Sequence, residues 1–151
     1  MSQPTTYHAS CLCKGVKFNL EGEPFHFVIC HCSNCKKVSG SAFMVNAMYK
    51  PELNYLSECT QRVTITQGKE LIKEYADGET LSGNTIKRTF CGNCGSTLLI
   101  IPAKGDINIT HPSLIEEKVN WVPKKEFHGQ DKYSWVKEIT FKKKEATKSK
   151  L

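Results

Sequence analysis

Eight of the 151 residues are cysteines, and their spacing offers the first chemistry. Seven fall in three tight groups: Cys11-x-Cys13, Cys30-x-Cys32-x-x-Cys35 and Cys91-x-x-Cys94. Thiolates two or three positions apart can close on a single metal ion, and such short loops suit disulfides poorly. Cys91-Gly92-Asn93-Cys94-Gly95 has the build of a zinc knuckle. Gly92 and Gly95 are expected to take positive φ, so that backbone N–H groups turn toward sulfur. Cys11-Leu12-Cys13 sets two sulfurs on one side of an extended segment, with Gly15 for the bend. Together Cys11, Cys13, Cys91 and Cys94 make the closed four-thiolate tetrahedron of a structural zinc. Such an ion supplies about 10–16 kcal/mol in zinc-finger peptides, against a whole-domain stability of about 5–15 kcal/mol.

The stretch Cys30-His31-Cys32-Ser33-Asn34-Cys35 offers three thiolates. Three protein ligands leave the fourth tetrahedral position open, as in catalytic rather than structural sites. Three thiolates on Zn(II) leave a net charge of −1, which Lys36, Lys37 and Arg88 are placed to offset. His31 and Cys59 are the alternative fourth ligands. In an extended stretch with Cys30 and Cys32 facing the metal, His31 faces away. Cys59 stands alone and reads as a small, partly buried residue.

The elements that must position these groups are short and mostly period-two. Val16, Phe18 and Leu20 alternate with Lys17 and Asn19, and Val63–Thr66 and Ile107–Thr110 alternate likewise. Phe25–Ile29, Phe43–Met48, Leu71–Tyr75, Ile86–Phe90, Thr97–Ile101 and Ser134–Phe141 also read as strands. Gly22, Gly40, Gly68, Asp77-Gly78, Ser82-Gly83 and Lys104-Gly105-Asp106 punctuate them as turns. The expectation is a mainly β domain, a sandwich of short antiparallel strands. Helix is confined to one turn at Cys32–Val38 and another at Ser113–Glu117, the latter with Ser113 as N-cap. Phe43 and Phe90 read as core residues, and His111 as a strand-end residue. Trp121 and Trp135 carry no assignment.

Composition bounds the rest. Hydrophobic residues are 39% and charged residues 24%, which suits one soluble domain. The apolar runs, such as Leu98–Ile101, fall far short of the ~20 residues that span a membrane. Met1–Thr6 lacks the charged-then-apolar build of a secretory signal, so the glycosylation triplet Asn108-Ile109-Thr110 carries no weight. The net charge is +6, but Lys142, Lys143, Lys144, Lys148 and Lys150 against Glu145 put +4 of it in the last ten residues. The expected organisation is a flexible start over 1–6, one zinc-binding domain over 7–141 and a basic tail over 142–151. A terminal charge run is usually a solvated end, so nucleic acid is not the expected partner.

Four blocks carry a family resemblance. Ser10–Phe18 with Cys11 and Cys13, Cys30–Lys36, Ser39-Gly40-Ser41-Ala42-Phe43, and Arg88–Leu98 with Cys91 and Cys94 resemble the glutathione-dependent formaldehyde-activating enzyme family, which includes centromere protein V. The resemblance implies an Mss4-like, zinc-stapled β fold. It implies a structural zinc at Cys11, Cys13, Cys91 and Cys94 and a second zinc at Cys30, Cys32 and Cys35. It also implies carbon–sulfur lyase activity, condensing glutathione with formaldehyde to S-hydroxymethylglutathione. Where the family usually has Arg after the trio, this chain has Lys36, a point charge without a two-pronged fork.

On that reading a thiol fills the open position, where coordination deprotonates it. Its sulfur attacks an aldehyde, and Lys36, Ser39, Ser41 and Arg88 are the candidates to steady the developing alkoxide. Ser39-Gly40-Ser41 reads equally as a turn with hydroxyl capping. The rival function is a non-catalytic binding module, stapled by zinc, that engages a partner or nucleic acid. The chain ends Ser149-Lys150-Leu151, a peroxisomal address if the source is eukaryotic, with the import receptor as a partner. Otherwise the expected location is cytoplasmic.

Overall fold

The computed structural model describes residues 5–50, 52–53, 59–60 and 63–136. The tail from 142 to 151, its final tripeptide and most of the 134–141 strand reading lie outside the described residues.

A three-stranded sheet runs β1 (Thr6–Ser10), β2 (Lys17–Glu21) and β7 (Val63–Gln67) in the order β1-β2-β7. A larger sheet is built from β3 (His26–Cys30), β4 (Met44–Tyr49), β8 (Ile72–Asp77), β9 (Ile86–Cys91), β10 (Thr97–Pro102), β11 (Asn108–Thr110) and β12 (Lys125–Phe127). Its order is β12-β3-β4-β11-β10-β9-β8. A short ladder joins β5 (Glu52–Leu53) to β6 (Cys59–Thr60). One helix, α1 (Ser33–Ser39), follows β3 directly.

The alternating residues of β2 explain the sandwich. Phe18 and Leu20 are wholly buried, and they meet Phe27, Ala47, Tyr49 and Leu98 of the large sheet. Trp121 closes this core edge-on to Tyr7, with ring centroids 5.2 Å apart. The opposite face of the large sheet carries a second cluster: Cys30, Cys35, Met44 and Ile100, with α1 lying over it. The sheet therefore separates a conventional apolar core from a thiol-bearing one.

Several sequence expectations need correction. Residues 134–136 are turn, not strand. The Ser113 turn is a 3-10 helix over Pro112–Leu114, with His111 at its N-cap and no capping side chain. β1 and β12 escaped the reading, and β12 pairs parallel to β3 in a sandwich otherwise antiparallel among its described pairs. A three-residue strand such as Lys125–Phe127 is too short to show a period; long-range pairing alone defines it. Phe43 and Phe90 are only half-buried.

Candidate metal centres

The knuckle begins where β9 ends. Cys91 closes β9 and is fully buried, and β10 starts at Thr97. Gly95 turns the chain at φ 74° and donates its N–H to Cys91 O at 2.8 Å. Gly92 does not take positive φ; its role is close approach. Its N–H donates to Leu71 O at 2.7 Å, and a Cβ there would lie 3.0 Å from Lys73 Cγ. In the facing loop the left-handed residue is Lys14 (φ 59°) rather than Gly15. A Cβ on Gly15 would lie 2.9 Å from Leu71 Cδ1 and 3.3 Å from Cys13 Sγ, and a Cβ on Gly68 would sit 2.0 Å from Gly15 O, so both positions call for glycine.

These turns gather Cys11, Cys13, Cys91 and Cys94, whose sulfurs all lie within 4.8 Å of one another. Cys11 and Cys13 Sγ are 3.5 Å apart, and Cys13 and Cys91 Sγ are 3.8 Å apart. A tetrahedron with Zn–S of 2.3 Å has edges of about 3.8 Å, so the donor set fits zinc in size and softness. Burial pushes the Cys11 thiol up to about 11. The hydroxyl and N–H of Ser96 bring Cys94 down to about 5, and Asn93 and the Gly15 N–H lower Cys13. Val16 N donates to Cys11 Sγ at 3.2 Å. Backbone and hydroxyl donors aimed at sulfur are the usual outer support of thiolate–metal sites.

Cys30, Cys32 and Cys35 form the second group, again within 4.8 Å. β3 delivers Cys30, the turn into α1 delivers Cys32, and the first turn of α1 delivers Cys35. Cys32 is the N-cap: its sulfur accepts from Cys35 N at 3.4 Å. The Cys35 thiol donates to Cys30, which brings Cys30 down to about 5. The same bond, with burial, holds Cys35 well above the usual thiol range. A metal ion arriving here displaces the proton held between them.

His31 is not a fourth ligand. It is wholly buried; one ring nitrogen pairs with Glu126 at 2.8 Å and the other reaches Ala42 O at 3.4 Å. Lys132 donates to the same Glu126 oxygen at 2.9 Å. These contacts tie His31, beside the trio, to β12. The Cys59 side chain lies outside the described residues. Among those described, the trio has three donors and no fourth.

Arg88 sits behind α1 rather than in solvent. Its Nε donates to Asp77 Oδ2 at 2.8 Å and its Nη2 lies 2.7 Å from the same oxygen. Burial alone would raise the Asp77 carboxyl, but bonds from Arg88 and Asn34 outweigh it and hold it low. Asn34, inside the Cys32–Cys35 arm, donates to Asp77 at 3.0 and 3.2 Å. Asp77 thus couples the trio's arm to Arg88, through a contact with Asn34 across 43 residues that spacing cannot reveal. Lys36 points elsewhere: its Nζ donates to Asp131 O at 2.7 Å and lies 4.1 Å over the Tyr133 ring. Lys36, Lys37, Ser41, Tyr133 and Trp135 line an open cleft of about 840 Å³. Ser39 bonds Lys36 O and Phe43 O, as a capping hydroxyl. A second cavity, about 470 Å³, lies between the end of α1 and the knuckle and is lined by Ser39, Met44, Ser96 and His111.

The class defined is a β-sandwich with four cysteine sulfurs gathered from two turns and three more beside one helix, each group able to hold a metal ion. The model of the glutathione-dependent formaldehyde-activating enzyme family matches residues 6–131, and the chain belongs to that family. An uncharacterized lyase of Schizosaccharomyces pombe is 27% identical over 99 residues, 66% of this chain. The match spans 60% of that relative's length. The crystal structure of a Rhodobacter sphaeroides protein shares the fold, with TM-score 0.54, 18% identity, and coverage of 75% of this chain and 91% of that one.

Proposed function

We propose that this chain is a zinc-dependent carbon–sulfur lyase that makes and breaks thiol–aldehyde adducts, with glutathione and formaldehyde as the first pair to test. The observation that carries the reading is the trio: Cys30, Cys32 and Cys35 within 4.8 Å, with no fourth protein donor among the described residues. Family membership and a relative named as a lyase support it. Cys11, Cys13, Cys91 and Cys94 would hold a structural zinc, and the trio a second. Zinc at the trio would supply Lewis-acid stabilisation of a substrate thiolate.

The chain's own residues do the rest. The Cys30–Cys35 pair gives up its shared proton when the site is loaded. His31 and Glu126 hold the strand that carries Cys30, and Asn34 holds the arm that carries Cys32 and Cys35. Lys36, Lys37 and Ser41 border the open cleft beside that helix, where a substrate carboxylate finds positive charge.

The test is magnetisation exchange between ¹³C-formaldehyde and its glutathione adduct, read by NMR, with zinc content measured in parallel. We expect wild-type protein to accelerate exchange and to bind close to two zincs. Cys32→Ala should lose the acceleration and one zinc, keeping the other. Wild-type exchange no faster than the uncatalysed rate would refute the reading.

A further inference from the structure

β11 ends at Thr110, and the sequence gives the reason. Thr110 pairs with Ala47 of β4, so a longer β11 would set Pro112 opposite Val45 and Ser113 opposite Met44. Proline has no N–H to give a ladder. Pro112–Leu114 turns away as a 3-10 helix instead. The His111 ring takes over one lost backbone contact, with Nδ1 donating to Val45 O at 2.9 Å.

The turn leaves a gap in the large sheet where β11 would separate β4 from β10. The cavity of about 470 Å³ lies there, lined by Met44 and Val45 at the start of β4, Thr97 at the start of β10, and His111 and Leu114 where β11 departs. A gap in a sheet meets both of its faces. Val45, Leu114 and Phe27, which also lines the cavity, pack in the apolar core. Met44 belongs to the other face. It pairs with Cys30, and both sit in the thiol-bearing cluster with Cys35. Paired residues on one face have Cβ atoms about 4.5–5.5 Å apart. One side chain, Met44, thus borders the cavity on one side and Cys30 on the other.

The lining defines the ligand. Among the described residues no Asp, Glu, Lys or Arg borders the cavity. Its polar side chains are three serines, a threonine and His111, and apolar side chains make up most of the wall. An unpaired charge is costly in such a place, so the occupant is uncharged and mostly hydrocarbon. A cavity of about 150 Å³ already holds the six carbons of benzene. The present volume therefore has ample room for an alkyl chain of about five carbons, and it lies within the roughly 300–1,000 Å³ of small-molecule sites.

We propose that this gap in the sheet holds the hydrocarbon tail of the aldehyde, and that the chain favours medium-length alkyl aldehydes over the shortest ones. This rests on the lyase reading and names its substrate class. With the tail in the gap, the carbonyl end reaches past Met44 to the face that carries Cys30. The reaction is unchanged. Thiol sulfur forms a bond to the carbonyl carbon, the C=O π pair moves to oxygen, and the proton the thiol gave up ends on that oxygen. Cleavage is the reverse, and nothing is oxidised or reduced.

The experiment uses the full chain loaded with zinc. Exchange of glutathione adducts is compared for acetaldehyde and hexanal, which differ by four methylenes. One methylene in an apolar pocket is worth about tenfold or more in discrimination, so kcat/KM for hexanal should exceed that for acetaldehyde at least tenfold. 1-Hexanol, an uncharged probe that cannot form the adduct, should shift the ¹³C-methyl resonance of Met44 saturably. Two variants narrow the gap from different sides: Val45→Phe from β4, and Val38→Trp from the exposed last turn of α1. Each should lose the hexanol shift and the hexanal preference together. A preference below tenfold in wild type, no saturable hexanol shift, or a variant that loses hexanol binding yet keeps the preference would overturn the proposal. If wild type exchanges no aldehyde at all, the lyase reading fails and the substrate class falls with it. A saturable hexanol shift in that protein would mark the failure as one of chemistry, and its absence as one of the cavity.

Discussion

Replacing Asp77 with alanine strips a buried guanidinium of its counter-charge. The Asp77 and Arg88 side chains are each only 7% exposed, and two contacts of 2.7 and 2.8 Å join them. Breaking such a pair by removing one partner costs about 3–5 kcal/mol, because the remaining charge stays buried and unpaired. For a chain of this length each kcal/mol moves Tm by about 2–4 °C, so the drop should be about 6–20 °C. Thermal melts at saturating zinc check this, since metal loss would otherwise mix with unfolding. A pH series adds an independent sign. The folded Asp77 pKa lies below its ordinary value, so its stabilisation is fully present above about pH 4 and is lost as pH falls through the folded value. Wild type should therefore lose stability in that acid window more steeply than Asp77→Ala. Asn34 also loses the Asp77 carboxylate and keeps only Glu79 O as acceptor, and loss of such outer support typically costs about 10–100-fold in metal affinity. A zinc-competing dye should report one site weakened and the other unchanged. A Tm change below 3 °C, or parallel acid profiles for the two proteins, would refute the reasoning.

Three further substitutions have expected outcomes. Cys91→Ser places a hard, less acidic ligand at a wholly buried corner of the four-sulfur site, so the chain should lose one zinc and its cooperative melt, as circular dichroism and metal analysis would show. Gly68→Ala drives a methyl into Gly15 O at φ 72°, against the backbone of Gly15 and Val16. It should cost more than about 2 kcal/mol. Gly83→Ala, at φ 71° with nothing within 4 Å, should cost about 1 kcal/mol by denaturant titration.

The cysteine sets were legible because metal chemistry fixes ligand type and short spacing fixes which sulfurs can share an ion. The strands through Val16–Leu20, Phe25–Ile29 and Thr97–Ile101 were legible for a similar local reason, since their side chains alternate or run apolar in step with the pleat. The glycines show where local reading stops. Gly95 needs positive φ as its place in the knuckle suggests, but Gly92 is glycine because Lys73 and Leu71 crowd it. That crowding exists only once β8 lies beside β9. Lys36 and Arg88 show the same limit. Both were read from sequence as charges near the trio; Lys36 is engaged with Asp131 and Tyr133, and Arg88 with Asp77.

By itself the sequence determined the cysteine sets that could serve as metal ligands, the mainly β architecture and the family. Tertiary structure decided which polar groups stand around those ligands: Asn34 and Arg88 on Asp77, and His31 on Glu126. The Asn34 and His31 contacts join residues dozens of positions apart through strand register. Register is set by long-range pairing and core burial, which no local spacing encodes.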